Sequence, residues 1–163
     1  MSCEENFETL RHARSLFFVG IGGVSMSSIA FVFKSKGYSV CGSDRAQNDM
    51  THKLENSGIC VFHGHDASHV AGADAVIYTG AVDDQNQEIA EAKRLGLPLI
   101  YRADALAYLM KKYKTRIGVS GSHGKSTCTA MISHILIASG KDPTVMCGAE
   151  TAEMCGAYRG GAA

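Results

Sequence analysis

Twice along this chain an apolar run breaks into a glycine-rich turn and resumes as a helical period, and that recurrence limits the fold more than any other feature. Residues 17–28 read FFVGIGGVSMSS and residues 116–131 read RIGVSGSHGKSTCTAM. A strand that passes into a helix through glycines opens a βα unit, and successive βα units build a parallel sheet covered by helices. The rest of the chain keeps this rhythm. Strands are expected at Leu16–Gly20, Tyr38–Gly42, Ile59–Phe62, Ala75–Thr79 and Leu99–Tyr101. From Ser25, the residues Met26, Ile29, Ala30 and Phe33 recur at i, i+3, i+4 and i+7, one face of a helix ending at Gly37. Thr51–Ser57, Gln87–Leu95 and Asp104–Lys112 are further expected helices.

The cycle then restarts. A strand is expected at Arg116–Ser120, a helix at Lys125–Ser139 with Met131, Ile132, Ile135 and Leu136 on its inner side, and a strand at Thr144–Cys147. The tail Gly156–Ala163 carries no structural signal. The fold class that follows is α/β. A Rossmann-like parallel sheet with helices on both faces occupies residues 1–113, and the opening βαβ of a P-loop domain occupies 114–163, with Lys111–Thr115 as the hinge. A length of 163 residues allows one full domain and part of a second.

Composition excludes several classes. Lys+Arg and Asp+Glu both total 16, so no net positive field draws the chain to nucleic acid or acidic lipid. The longest apolar runs, Leu16–Ile21 and Ile29–Phe33, fall far short of the ~20 residues that span a bilayer. The polar, acidic start MSCEENFETLRHARS is unlike a signal peptide, so the expected location is cytoplasmic. Six cysteines (3, 41, 60, 128, 147, 155) form no C-x-x-C pair, and read as small buried hydrophobes with one or two exposed thiols rather than a disulfide framework.

The two glycine turns are the candidate binding sites. In the first, Gly20, Gly22 and Gly23 let the backbone approach a phosphate, and the N–H groups opening the next helix point at it. Ser25 takes the place of a third glycine, and Asp44 closes the second strand where an acidic side chain can grip a ribose hydroxyl. A tight turn without ligand is the alternative. In the second, Gly121, Gly124, Lys125 and Ser126 follow P-loop order, the lysine for β/γ-phosphates and the hydroxyl for Mg²⁺. Val119 stands where the standard pattern has glycine, so this loop is a shorter variant; a chance G-K-S at a helix start is its alternative. A third cluster, His63, His65, Asp66 and His69, has the wrong offsets for a dinuclear metal signature, and its spacing favours a surface loop with one functional histidine.

At this level of detail the sequence resembles the N-terminal part of the Mur ligases of peptidoglycan synthesis, in the branch that joins L-alanine to UDP-N-acetylmuramate. The matching segments are GIGGVSMSSIA, GYSVCGSD (37–44), THKLENSGICVFHGHD (51–66), ADAVIYTGAV with NQE (73–88), LPLIYRADAL (97–106) and GSHGKSTCTAMI (121–132). The resemblance implies that the first domain holds the UDP-sugar. Ile21, Gly22, Gly23 and Ser25 would lie at the diphosphate and Ser43 and Asp44 near the uridine, with His65, Thr79 and Ala81 lining the same cleft. It implies that Gly121, Ser122, His123, Gly124, Lys125, Ser126 and Thr127 hold ATP, with Lys125 on phosphate and Ser126 a Mg²⁺ ligand. The implied reaction activates the sugar carboxylate as an acyl phosphate, which the amine of alanine then attacks.

The departures are local. Ser122 and Ser126 stand where threonine is usual, Cys128 replaces another threonine, Gln87 takes a proline's place, and Ala149–Glu150 interrupts a region of paired glycines. Members of the family also continue through the rest of an ATPase domain and a third domain. A parallel ATPase sheet cannot bury its core with residues 114–163 alone, so this chain is expected to bind substrate and not to catalyse by itself. Three alternatives remain at this point: the related ligase that joins a tripeptide to the same sugar nucleotide, a non-catalytic nucleotide-binding module, and an NAD-dependent oxidoreductase resting on the first loop and Asp44 alone. The oligomeric state is not legible.

Overall fold

The computed structural model describes residues 2–83, 85–151 and 156–161. The chain divides into two compact units, Met1–Lys111 and Lys112–Ala163.

The first unit is a five-stranded, wholly parallel sheet in the order β3-β2-β1-β4-β5. Its strands are β1 (Ser15–Val19), β2 (Ser39–Asp44), β3 (Cys60–His63), β4 (Ala75–Tyr78) and β5 (Leu99–Tyr101). Strand β1 sits at the centre and is buried on both sides. Phe17 and Val19 face a core with Val70, Val76, Ile89 and Ala92, while Phe18 on the opposite face meets Phe33 edge-on at 6.2 Å. A strand buried on both faces needs a continuous apolar run, which LFFV supplies. Helices α2 (Val24–Ser35), α3 (Asp49–Asn56), α4 (Gln87–Arg94) and α5 (Arg102–Lys111) connect or follow the strands.

Helix α1 (Cys3–His12) is an element that the periodicity did not predict. Its start was nonetheless written in the sequence: Ser2 and Glu5 form a reciprocal capping box, the S-x-x-E signature. The helix packs on α5 through buried Leu10, an Asn6 Nδ2–Asp104 Oδ2 hydrogen bond of 2.8 Å and a Phe7–Tyr108 ring contact.

In the second unit, helix α6 (Lys125–Ala138) packs on β6 (Val145–Thr151), which pairs antiparallel with β7 (Gly156–Arg159). Three expectations change here. Residues 116–120 form no ladder, because the described part of this unit offers them no parallel neighbour. The segment from Gly156, expected to be featureless, supplies β7. Met131 and Ile135, expected inward on α6, are 60% and 64% exposed, since one two-stranded ribbon cannot cover the apolar face of a 14-residue helix. The interruption at Ala149–Glu150 lies on β6, and its side chains are outside the described residues.

The thiols also differ from expectation. Cys3, Cys60 and Cys128 are all exposed, Cys147 is buried, and Cys155 is outside the described residues. Among the described residues no helix is long and apolar enough to cross a membrane.

Candidate functional site

The strand order reverses direction between β1 and β4, and the crevice at the carboxyl ends of such strands is where open α/β sheets take ligands. A cleft of about 840 Å³ lies there. Gly20, just beyond β1, contributes to its wall, as do Asp44 at the end of β2, His65 after β3 and Thr79 after β4. Helices α2, α3, α4 and α5 all begin at this cleft, through Gly23, Asn48, Asn86 and Arg102. The partial positive charge of a helix start favours anions, and here four are gathered on one side of a sheet.

The glycine turn is held open from below. Gly20 N–H and Ile21 N–H both donate to the Ser43 carbonyl, at 2.8 and 2.9 Å. Gly22 N–H donates to Asp44 Oδ2 at 2.7 Å, and Ala46 N–H to Asp44 Oδ1 at 3.0 Å. With the amides of residues 20–22 already committed, the donors left to face a ligand are those of α2's first turn, Val24, Ser25 and Met26, which no side chain caps. Gly20 adopts φ +77°, a left-handed conformation that favours glycine.

This geometry sorts the expected residues. Gly22, Gly23, Ser25, Asp44, His65, Thr79 and Ala81 line the cleft together. Ile21 and Ser43 do not: both are 0% exposed. The Ile21 side chain anchors the turn against the sheet at Gly42, where even a Cβ would come within 2.7 Å of it. Ser43 is a support, and its Oγ donates to Glu88 Oε2 at 2.6 Å.

Several lining residues were missed by sequence reasoning, chiefly Arg45, Asn48, Asn86 and Arg102. Two signals could have found some of them. Asn48 and Asn86 are N-cap residues, each accepting two backbone N–H groups. Arg102 is a cation in the first position of a helix, where the macrodipole disfavours it, so a local anion is the expected compensation. Its Nη1 donates to Ser25 Oγ at 2.7 Å, tying α5 to the glycine turn.

The histidine cluster is likewise organised around a carboxylate. His65 Nδ1 and His69 Nδ1 each lie 2.8 Å from an oxygen of Glu88, while His63 pairs with Glu55 at 3.2 Å. Asp66 caps a 3-10 turn (Ala67–Val70), and the Ser68 hydroxyl and N–H hold its carboxyl below the usual range. Among the described residues no three His, Cys, Asp or Glu side chains converge as metal ligands.

The second glycine loop belongs to the other unit. Gly121 and Gly124 take φ of +151° and +76°, and among the described residues nothing lies within 4 Å of where a Cβ on Gly124 would project. Among the described residues no side chain caps α6, so the amides of Lys125, Ser126 and Thr127 open its N-terminus. Lys125 Nζ folds back onto the carbonyls of Gly121 and Ser122, at 2.6 and 3.1 Å. Ser122 and His123 are exposed beside it, and Ser126 is half-buried. An open, uncapped loop with a lysine held by weakly competing carbonyls fits a phosphate chain.

Comparison with known proteins matches these features. Residues 16–114 fit the family described as "Mur ligase family, catalytic domain". The chain is 45% identical over 137 residues to the UDP-N-acetylmuramate–L-alanine ligase of Acetivibrio thermocellus, covering 84% of this chain and 29% of that protein. It is 47% identical over 135 residues to the ligase of the same name from Hydrogenobaculum sp., covering 83% and 30%. Among solved structures, the UDP-N-acetylmuramate–alanine ligase of Thermotoga maritima superposes with a TM-score of 0.86 at 36% identity, over 92% of this chain and 35% of that one. A UDP-N-acetylmuramate:L-alanyl-γ-D-glutamyl-meso-diaminopimelate ligase from Neisseria meningitides gives 0.83 at 28% identity, over 90% and 46%. The chain thus spans about 30% of the length of the curated relatives it matches. From its family match and from the parallel sheet, the cleft and the glycine loops, the chain belongs to the Mur ligase family.

Proposed function

We propose that this chain carries the sugar-nucleotide site of a ligase that joins L-alanine to UDP-N-acetylmuramate at the expense of ATP. The observation that carries the reading is the cleft at the strand ends, where four helix starts and the side chains of Arg45, Arg102 and His65 meet. A UDP-sugar offers that surface a diphosphate for the α2 amides and the cations, and hydroxyls for Asp44 and Asn48. Ser25, held by Arg102, would stand beside the diphosphate. Thr79 and Ala81 would bound the opposite wall.

The second loop, Gly121 to Thr127, would hold the triphosphate. Lys125 would exchange its two carbonyl partners for phosphate oxygens, and Ser126 would hold Mg²⁺. When bound, ATP with Mg²⁺ would supply the activation of the sugar's carboxylate, its γ-phosphoryl group passing to that carboxylate with release of ADP, and the amine of alanine would then expel inorganic phosphate to leave an amide. The chain's own contribution is binding, charge neutralisation and orientation, with no covalent nucleophile required. Alanine is favoured over a tripeptide as second substrate because, among the solved structures, identity is 36% to the one named for alanine against 28% to the tripeptide-type one. The chain alone is expected to bind the sugar nucleotide without forming amide.

Calorimetric titration with UDP-N-acetylmuramate, ATP and NADH in parallel tests the reading. Saturable binding of the sugar nucleotide supports it. Binding of NADH alone would overturn it, and ATP-dependent amide formation by this chain would overturn the expected lack of turnover.

A further inference from the structure

Glu88 is 0% exposed, in the first turn of α4, against an apolar core that includes Ile89, Phe17 and Val19. A carboxylate is kept in such a place only when its oxygens are hydrogen-bonded. Here three side chains do so. Ser43 Oγ and His65 Nδ1 reach Oε2 at 2.6 and 2.8 Å, and His69 Nδ1 reaches Oε1 at 2.8 Å. A carboxylate only accepts, so both imidazoles carry their hydrogen on Nδ1. Ser43 Oγ and His65 Nδ1 stand 3.1 Å apart because they share one acceptor. His69 is also stacked on Phe62, with ring centroids 4.3 Å apart, which fixes its plane.

The two rings play different parts. His65 lines the cleft, whereas His69 is no part of its wall. The Glu88 carboxylate puts one negative charge directly behind His65, which opposes the pull of the four helix starts on an anion. One proton on His65 Nε2 removes that charge and adds a donor facing the cleft.

We propose that Glu88 is a positioning residue that locks His65 and His69 as Nδ1–H rings, and that binding of an anionic ligand in the cleft is coupled to uptake of one proton by His65. The proton comes from solvent and returns to it on release. The inference rests on the cleft being the sugar-nucleotide site. The other titratable groups around it are accounted for. Asp44 accepts from Gly22 and Ala46, Asp66 from Ser68, and Glu55 pairs with His63 and His52. Arg102 is tied to Ser25, while Arg45 and Asp83 are exposed on the rim. None of these offers a second imidazole-like group on the cleft wall.

The test is titration of the chain with UDP-N-acetylmuramate at pH 8 in phosphate and in Tris, whose ionisation enthalpies differ. The dependence of the observed heat on buffer gives the protons taken up. We expect roughly 0.5–1 proton per ligand, with affinity falling as pH rises by up to about tenfold per unit. Glu88→Gln should abolish the uptake. Should that variant not fold, His65→Gln, at the edge of the cleft, should do the same while retaining weakened binding. Tight binding without uptake, or uptake preserved in His65→Gln, overturns the proposal and leaves the cleft assignment standing. Absence of binding overturns the cleft assignment, and the proposal with it. The ring assignment is read separately in the free chain: long-range ¹H–¹⁵N spectra should show Nδ1–H in both imidazoles, and an Nε2–H tautomer in either overturns it.

Discussion

Gly22 and Asp44 are locked together: the glycine N–H donates to Asp44 Oδ2 at 2.7 Å, and a Cβ at position 22 would stand 2.8 Å from the same oxygen and 2.9 Å from Thr51 Cγ2. The protein's own carboxylate therefore requires glycine here, independently of any ligand. Asp44 therefore has two tasks, shaping the turn and facing the cleft.

Gly22→Val must push Asp44 and α3 aside. UDP-N-acetylmuramate affinity should fall at least tenfold, about 1.4 kcal/mol. Thermal melting should show a loss of about 1–3 kcal/mol from overpacking. Affinity equal to the parent's by calorimetry would detach this turn from the ligand.

Arg102→Ala removes a cleft cation and its hydrogen bond to Ser25. Affinity for the sugar nucleotide should drop about tenfold or more, since charge-assisted bonds are worth roughly 1.5–3 kcal/mol. Arg102→Lys should recover only part of this, because lysine lacks the planar fork. Full recovery by lysine would show that charge alone matters there.

Lys125→Ala should leave sugar-nucleotide affinity unchanged and abolish ATP binding, because the Lys125 ammonium is bonded to the Gly121 and Ser122 carbonyls of the second loop, away from the residues that line the cleft. Equal losses of both ligands would mean that the two loops have been assigned to the wrong partners.

The sheet was legible because buried parallel strands leave a plain mark: LFFV, AVIY and LIY are unbroken apolar runs flanked by turn residues. Helix α1 was not, since it is amphipathic over only ten residues and its capping box stood outside any periodic run. The glycines and Asp44 could be read as a site because they lie within one local motif. Arg102 and Glu88 could not, because their roles depend on Ser25, Ser43 and two histidines that only the folded sheet brings near. Residues 116–120 look like a strand and form none here, since a ladder needs a neighbour that no local pattern supplies.

Cys41 and Cys60 face each other in the β2–β3 ladder. Burial first, then the neighbouring Cys60 thiol, push Cys41 up, so less of it is thiolate at a given pH. Iodoacetamide at pH 8 should alkylate exposed Cys60 well before Cys41, as followed by peptide mass mapping. The reverse order would contradict the burial of Cys41.

Asp74 accepts the N–H groups of Arg14 and Ser15 at 2.7 and 2.8 Å, which hold its carboxyl below the usual range. A depressed folded value stabilises the protein above the unfolded value of about 3.9, and this is lost as pH falls through the lower folded value. Melts of Asp74→Ala against the parent should differ by under about 1 kcal/mol at pH 5–7, given solvent screening. The difference should shrink below pH 4. A gap that widens in acid would reverse the sign.

The apolar face that α6 leaves open, with Met131, Ile135 and Ile137 exposed and Ile117 54% exposed in the same unit, has a colloidal consequence. Water pays for wetting such a face, and the chain can relieve that cost by joining another copy at high concentration. Light scattering should therefore report attraction between molecules that strengthens on warming, as hydrophobic contacts do. Met131→Lys and Ile135→Lys together should weaken it without disturbing the cleft. The usable concentration should thus be governed by the second unit and not by the residues that line the cleft.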